Sequence, residues 1–249
     1  MSGLAIIGGT GLTSLNGLNI VHEEQVETPF GEPSSALVYG ELNGTEVVFI
    51  ARHGRQHTIP PHRVNYRANL WALKQAGISQ IIAVAAVGGI HNDMGPMRVV
   101  IPDQIIDYTY SRISTFFEDD LEHVTHIDFS YPYSQSLRET LLASCESAGV
   151  DACDFGTYGA TQGPRLESVA EIERMSRDGC AIVGMTGMPE ASLARELEID
   201  YACCSVVANW AAGCGDGKLI EMSEIEENLE TGMAYVRDVL ACAVPKCQG

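Results

Sequence analysis

The amino-acid sequence predicts an α/β fold in which helices flank a central β-sheet. Short apolar runs alternate along the chain with segments of helical periodicity, which is the pattern of layered α/β proteins. Several of the runs are apolar at nearly every position, as strands buried on both faces are; the clearest is QIIAVAAVGGI at 80–90, which is apolar after its first residue. More than six strands are suggested. We therefore expect a mixed, partly barrel-like sheet within one domain that spans residues 1–249.

The N-terminal half contains four predicted strands and one helix. LAIIGG at 4–9 is an apolar run that ends in glycines, and the run at 45–54 ends in charged residues. The helix is predicted at 67–77, where apolar residues have helical spacing and a glycine marks the end. The strand at 80–90 follows directly. A further strand at 99–109 is interrupted by a proline.

The C-terminal half repeats the alternation of helices and strands. Residues 134–149 begin with serine, have an apolar period of three to four and end in glycine, which predicts a helix. Residues 155–166 are a glycine-rich strand and turn, and 168–179 form an amphipathic helix. Residues 181–209 predict a strand, a helix and a second strand. The last element, at 223–244, is one long amphipathic helix.

Charge and cysteine content exclude several classes of function. The net charge is −18, with 33 acidic residues among 249, so the chain is not a general nucleic-acid binder. An acidic surface also repels an anionic substrate unless one local site is basic. The eight cysteines form no C-x-x-C pair, so zinc-ligand spacing is absent. No apolar stretch approaches a membrane span or a signal peptide. We expect a cytoplasmic protein with reduced thiols and no membrane partner.

The glycine-rich segment IIGGTGL at 6–12 follows the first predicted strand. Glycines there let main-chain N–H groups approach an anion. A dinucleotide-binding fold is disfavoured because Ser14 occupies the third position of its glycine pattern and no acidic residue ends a second strand at the expected distance. Two interpretations remain: a tight turn without a ligand, and a site for one phosphate that also uses the Thr10 hydroxyl.

Cationic side chains are concentrated in residues 51–69. A local cationic patch in an acidic protein suits capture of a small anion. Arg52 and His53 end a predicted strand, which is where ligand sites of α/β proteins form. A metal site built from the histidines of this segment is the alternative. It is disfavoured because Gly54 and the Pro60–Pro61 pair break any helix that would align them.

Two later stretches contain further candidates. In GATQGPRLES, Glu167 is explained equally well as a binding residue and as a solvent-facing glutamate at a helix start. In GMTGMPEASLA, Met185 and Thr186 end a strand; a methionine there is normally a core residue, although its thioether also makes a flat wall for a sugar or a ring. Glu190 is interpreted as a helix-start residue only. No nucleophile motif of a hydrolase is present.

Four motifs in order, IIGGTGL, RHG…PHRVNYRANLWAL, TQGPRLES and GMTGMPEASLARE, resemble the trimeric nucleoside phosphorylases. The methylthioadenosine phosphorylases are the more similar branch. The resemblance implies a single layered α/β domain, a homotrimer with sites near its subunit interfaces, and reversible attack of inorganic phosphate on C1′ of a purine nucleoside. It implies phosphate as a co-substrate, no cofactor and no metal.

The resemblance also implies roles for individual residues. Met185 matches the residue that packs against the ribose, and His126 matches one that reaches the neighbouring subunit's site. Alanines replace the hydroxyl residue of methylthioadenosine phosphorylases at 85–86, so only their main-chain N–H groups can serve there. The implied phosphate contacts are Thr10, Arg52, His53, Ala85, Ala86 and Thr186.

The base pocket departs from the methylthioadenosine branch. That branch has two aspartates at the positions of Asn209 and Ala211, whereas the 6-oxopurine branch has a glutamate and an asparagine at the positions of Glu167 and Asn209. A 6-oxopurine carries a proton on N1 that an ionised Glu167 accepts, whereas adenine presents a lone pair there. Asn209, the predicted catalytic residue, donates to O6 and accepts from N7–H. We expect a preference for 6-oxopurines, with Trp210 also in the pocket.

The 5′ end of the sugar is predicted from the same resemblance. The 6-oxopurine branch has a histidine for the 5′-hydroxyl, and its position here falls near Met222. Because an apolar wall suits a methylthio group, the predicted substrate is 5′-methylthioinosine. The alternatives are an inosine/guanosine phosphorylase and a methylthioadenosine phosphorylase. A cofactor-dependent oxidoreductase or a non-catalytic purine-binding protein would show no dependence on phosphate.

Overall fold

The computed structural model describes residues 3–12, 14–15, 17–119 and 121–247. All strands within these residues belong to one mixed sheet flanked by helices, which confirms the predicted fold class. The division into domains stays a prediction. The strands are β1 (Gly3–Gly8), β2 (Asn19–Glu24), β3 (Leu37–Leu42), β4 (Thr45–Ala51), β5 (Ile78–Gly89), β6 (Val99–Val100), β7 (Gln104–Asp107), β8 (Ala152–Cys153), β9 (Thr157–Ala160), β10 (Cys180–Gly184) and β11 (Asp200–Trp210).

Helices cover both faces of the sheet. Along β1 and β5, alternate side chains point to opposite faces and enter two separate apolar clusters. Helices α1 and α4 pack on one face, and α2 and α5 pack on the other. No helix within the described ranges has the length and apolar character needed to cross a membrane. The helices are α1 (Tyr66–Gln75), α2 (Gln135–Ala148), α3 (Val169–Arg177), α4 (Gly187–Glu196) and α5 (Met222–Ala243).

The sequence pattern missed the elements that lack a clear period. Every residue of β2 is exposed, so this strand has no buried face to produce an alternation. β3 is only six residues long, and β8 only two. The predicted strand at 99–109 is two strands, β6 and β7, separated at Pro102 because proline cannot donate to a sheet.

The topology of the sheet leaves an opening beside its longest strand. β5 pairs with β11 from Gln80 to Gly89. On its other edge, pairing with β1 ends at Ala83 and pairing with β10 begins only at Gly88. Strands β1, β4, β5 and β11 are mutually parallel, so their carboxyl ends share one side of the sheet. Side chains that follow these strands are therefore brought to the opening.

Candidate active site

A cavity of about 440 Å³ lies at this opening. It contains residues from the carboxyl ends of four parallel strands, from the turns before α3 and α4, and from the start of α5. Its volume is in the range of small-molecule sites. Eleven of the residues predicted from the sequence line it, namely Thr10, Arg52, His53, Ala85, Ala86, Glu167, Met185, Thr186, Asn209, Ala211 and Met222.

Arg52 is held from behind by a buried carboxylate. Its Nε and Nη2 donate to the two oxygens of Glu190 over 2.6 and 2.7 Å, and its Nη1 donates to the Val84 carbonyl over 2.9 Å. Tyr201 donates a further bond of 2.8 Å to Glu190. Burial acts to lower the pKa of Arg52, but the charge and hydrogen bonds of Glu190 outweigh it and raise the pKa above its ordinary value. Arg52 is a fixed cation at the cavity wall.

The structure corrects the interpretation of Glu190 as a helix-start residue only. Its side chain is completely buried, and its partner Arg52 lies 138 positions away in the sequence. A buried carboxylate requires such a partner. The only signal in the sequence was one charged residue within the small, apolar stretch at 187–194.

Two histidines stand beside Arg52. Burial, and then the Arg52 charge, lower the pKa of His53 to about 4. Because a carbonyl only accepts, the contact of 2.8 Å between Nδ1 and the Ile59 oxygen places the proton of neutral His53 on Nδ1. Nε2 is left as an acceptor. The His57 ring lies 4.7 Å from the His53 ring, and its Nε2 is 3.4 Å from the Thr10 hydroxyl. His57 lines the cavity and was not predicted to bind a ligand.

Two glycines are required by close approach at this site. A Cβ on Gly9 would lie 2.9 Å from Arg52 Nη1 and 2.5 Å from the Val84 carbonyl oxygen. Gly163 has a φ of +60°, and a Cβ there would lie 2.4 Å from the sulfur of Met185. The first glycine makes room for the Arg52 guanidinium. The second lets the turn that precedes Glu167 pack on Met185.

Glu167 lies just before the helix α3, and its carboxylate is fixed within the cavity. The Thr161 hydroxyl donates to Glu167 Oε1 over 2.6 Å. The next residue, Ser168, is the N-cap of α3 and forms a capping box with Glu171. Glu167 is half-buried and lines the cavity, so it is not the solvent-facing first-turn residue of the alternative interpretation. The sequence did not single out Thr161.

Asn209 is placed by an irregularity in its strand. The pairing of β11 with β5 shifts between Val207 and Asn209, and such bulges redirect side chains. The Asn209 amide nitrogen donates to the Trp210 carbonyl over 2.7 Å. A flipped amide would place two oxygens against each other, so this carbonyl selects one orientation. One N–H and the amide oxygen of Asn209 stay available to a ligand.

Two predicted residues do not line the cavity. The prediction that Trp210 lies in the pocket is wrong: its indole packs against Gly95 and Gly215, because consecutive residues of a strand point to opposite faces. His126 is exposed on the connection between β7 and α2. Its contact with a neighbouring subunit's site stays a prediction.

The far end of the cavity is apolar. Met222 begins α5, is 63% exposed and stands at the mouth. Ile220, Ile225 and Leu229 complete this wall. The cavity thus has a cationic end at Arg52, a polar pair formed by Glu167 and Asn209, and an apolar end.

This fold and site define an α/β protein whose cavity combines a fixed cation with polar and apolar side chains. Residues 4–244 match the family model described as the phosphorylase superfamily, and the chain belongs to that family. The resemblance drawn from the four sequence motifs is confirmed.

Relatives of two kinds are similar to this chain over nearly its whole length. It is 58% identical over 241 residues to the probable S-methyl-5′-thioinosine phosphorylase of Pseudomonas syringae pv. tomato, which covers 97% of this chain and 98% of the relative. It is 42% identical over 250 residues to the 6-oxopurine nucleoside phosphorylase of Pyrococcus furiosus, with coverages of 98% and 93%.

Solved structures agree with these relatives. The methylthioadenosine phosphorylase of Schistosoma mansoni in complex with adenine matches with a TM-score of 0.95 and 31% sequence identity. The match covers 99% of this chain and 92% of that one. The fold is therefore common to relatives whose names specify different purines.

Proposed function

We propose that the protein catalyses reversible phosphorolysis of a 6-oxopurine nucleoside, with 5′-methylthioinosine as its preferred substrate. The products are hypoxanthine and 5-methylthioribose 1-phosphate. The observation that carries this proposal is that Glu167 and Asn209 line the same cavity as Arg52, His53 and Thr186. Inorganic phosphate is the co-substrate, and the proposal includes no cofactor.

Phosphate binds at the cationic end. Arg52 supplies its charge and the N–H groups that Glu190 and Val84 leave available. Thr10 and Thr186 supply hydroxyl groups. The unprotonated Nε2 of His53 accepts a hydrogen bond from the O–H of hydrogen phosphate. The edge of β5 at Ala85 and Ala86 has no strand partner among the described residues, so it offers main-chain groups to the anion.

The reaction exchanges one bond at C1′ for another. A phosphate oxygen forms the new bond to C1′ as the C1′–N9 bond breaks, and the electron pair of that bond passes into the purine. The nearby phosphate stabilises the positive charge that develops on the sugar. The departing purine takes up one proton at N7, which balances the proton that hydrogen phosphate loses as it becomes the sugar phosphate. The Asn209 oxygen accepts a hydrogen bond from this N7–H, and the free amide N–H donates to O6.

The choice of base follows from Glu167. An ionised carboxylate accepts from N1–H of hypoxanthine and is repelled by the N1 lone pair of adenine. Thr161 occupies Oε1, which leaves Oε2 for the base. A bound base would enclose the half-buried Glu167 carboxylate, and an enclosed carboxylate without its partner is costly. Sites of this kind reject an analogue by about 10⁴-fold or more.

The 5′ group and the assembly extend the proposal. The apolar wall of Ile220, Met222 and Ile225 suits a methylthio group.

The connection between β7 and α2 exposes Tyr110 and Val124 beside His126, and its contact with a neighbouring subunit in a homotrimer would cover these apolar side chains. The eight cysteines are free thiols, as in a cytoplasmic enzyme.

A substrate panel tests the proposal directly. Inosine, guanosine, adenosine and their 5′-methylthio forms are incubated with and without phosphate, and base release is followed by chromatography. We expect release only with phosphate and the highest kcat/KM for 5′-methylthioinosine. Faster cleavage of the adenine nucleosides than of the 6-oxopurine nucleosides would disprove the role of Glu167. Equal kcat/KM for inosine and 5′-methylthioinosine would disprove the assignment of the 5′ group. Base release without phosphate would exclude a phosphorylase.

A further inference from the structure

Arg112 forms an unusually complete set of hydrogen bonds outside the cavity. It lies on the connection between β7 and α2, and the five N–H groups of its guanidinium are within hydrogen-bond distance of six acceptors, all neutral. Nη1 donates to the carbonyls of Met185 (2.8 Å) and Met188 (2.6 Å) and to the Tyr66 hydroxyl (3.3 Å). Nη2 donates to the carbonyls of Thr161 (3.1 Å) and Gln162 (2.8 Å), and Nε donates to the Gln162 side chain (3.1 Å).

These acceptors belong to two different walls of the cavity. Thr161 and Gln162 begin the turn that leads to Glu167, and Thr161 itself positions the Glu167 carboxylate. Met185 and Met188 lie on either side of Thr186, which faces the anion end. One rigid, planar group therefore joins the wall that binds the base to the wall that binds phosphate.

The chemistry of the Arg112 hydrogen bonds favours a role in joining the two walls over that of an ordinary surface arginine. In a chain with 33 acidic residues, the cation is committed to main-chain carbonyls. Charge-assisted bonds are stronger than neutral ones and fix direction as well as distance. A lysine has three donors at one point and cannot reach two walls in this way. The Tyr66 ring lies 5.6 Å from the guanidinium carbon and supports its plane.

We propose that Arg112 is a positioning residue for phosphorolysis, which holds the purine and the phosphate at the separation that the reaction requires. This inference rests on the proposed function. Each wall keeps its own binding side chains when Arg112 is removed, so each substrate still binds. The distance between C1′ and the attacking oxygen is no longer fixed, and a displacement of about 1 Å can reduce the rate about 100-fold.

The test compares Arg112→Ala and Arg112→Lys with the wild type on 5′-methylthioinosine and phosphate. We expect kcat to fall about 100-fold in both variants, with smaller changes in the KM of either substrate. Free guanidinium at about 50 mM, far below concentrations that unfold proteins of this size, should restore part of kcat in Arg112→Ala. Methylammonium at the same concentration should not. Arg112→Lys keeps the test decisive should the alanine variant fail to fold.

Arg67→Ala is the matched control. Arg67 also donates to a carbonyl of the same connection, at Thr115, and pairs with Glu118, but it contacts neither wall. Its kcat should equal that of the wild type. The inference is overturned if Arg112→Ala and Arg67→Ala have equal activity, or if guanidinium restores nothing. A wild-type protein without phosphate-dependent base release would instead overturn the proposed function itself.

Discussion

Two bidentate Arg–Glu pairs of this protein lie in opposite environments. Arg52 and Glu190 are joined over 2.6 and 2.7 Å, and their side chains are 1% and 0% exposed. Arg165 and Glu171 are joined by two contacts of 2.8 Å, and their side chains are 71% and 41% exposed. The first pair fixes Arg52 at the cavity wall, and the second lies on the outer side of the turn that carries Glu167.

The difference in burial between the two pairs determines how much each can change without loss of stability. Removing one member of a buried pair leaves a charge in a poorly solvated environment, so a change at Arg52 or Glu190 is costly. An exposed pair is screened by water and contributes little, even with good geometry. The proposed phosphate contact at Arg52 is therefore built into the core, whereas the proposed base contacts at Glu167 and Asn209 are half-buried.

Neutralising the glutamate of each pair should give the largest difference in stability between the two pairs. Glu190→Gln leaves Arg52 as an unpaired buried cation, and we expect the free energy of unfolding to fall by about 3–5 kcal/mol. Glu171→Gln is the control, because glutamine keeps the capping bond to Ser168; it should cost about 1 kcal/mol or less. Urea unfolding of both variants measures the difference. Equal losses would show that burial of the first pair has no energetic consequence.

Asn209→Ala should affect turnover and not stability. Losing the donor and acceptor for the departing base is expected to lower kcat by about 10²–10³-fold, while the melting temperature stays near that of the wild type because Asn209 is only half-buried. Asn228→Ala removes a neighbouring amide that bonds the Ala208 carbonyl over 2.9 Å without lining the cavity, and it should keep its activity. Near-normal turnover in Asn209→Ala would exclude the catalytic role.

Two acidic substitutions made together should change which purine is preferred and leave phosphate binding unchanged. Asn209→Asp combined with Ala211→Asp is expected to raise kcat/KM for methylthioadenosine relative to methylthioinosine and to leave the KM of phosphate unchanged. Asn209→Asp by itself places a carboxylate against the Trp210 carbonyl, 2.7 Å from the present amide nitrogen, and should impair both reactions. An unchanged ratio in the double variant would mean that the pocket is assigned wrongly.

The smallest expected effect is a pH dependence of stability from His53. Its pKa is lowered to about 4 by burial and by Arg52, against an ordinary value of about 6.5 in the unfolded chain. As the pH falls from about 6.5 to 4, the unfolded state takes up a proton first, so the free energy of unfolding decreases. His53→Gln should lose this component between pH 7 and 5. His123→Gln, at an exposed position, should keep the wild-type slope.

The strand ends explain how much of the site the sequence could predict. Arg52, His53 and Asn209 each follow an apolar run, and parallel topology brings such positions together without knowledge of any side-chain contact. Glu190 and Arg112 were missed for the opposite reason. Their roles depend on partners that are distant in sequence, at Arg52 for one and at Thr161 and Met185 for the other, and neither lies in a periodic pattern that could reveal it.

Trp210 shows a second limit of predicting the site from the sequence. Its position next to Asn209 suggested a shared pocket, yet neighbouring residues of a strand face opposite ways, and the shift in pairing after Val207 decides which of the two faces the cavity. Bulges of this kind leave no composition signal in one sequence. The side of a strand end on which a residue lies is therefore known only from the pairing.

The unpaired edge of β5 between Ala83 and Gly88 has a consequence for how such enzymes diverge. Main-chain N–H groups persist through every substitution except proline, so whatever the main chain at Ala85 and Ala86 contributes to the proposed phosphate site tolerates changes of those two side chains. Replacements at Asn209 or Ala211 meet no such constraint. Under the proposed function, a lineage can thus exchange one purine for another in a few mutational steps while this main-chain contribution to phosphate binding is retained.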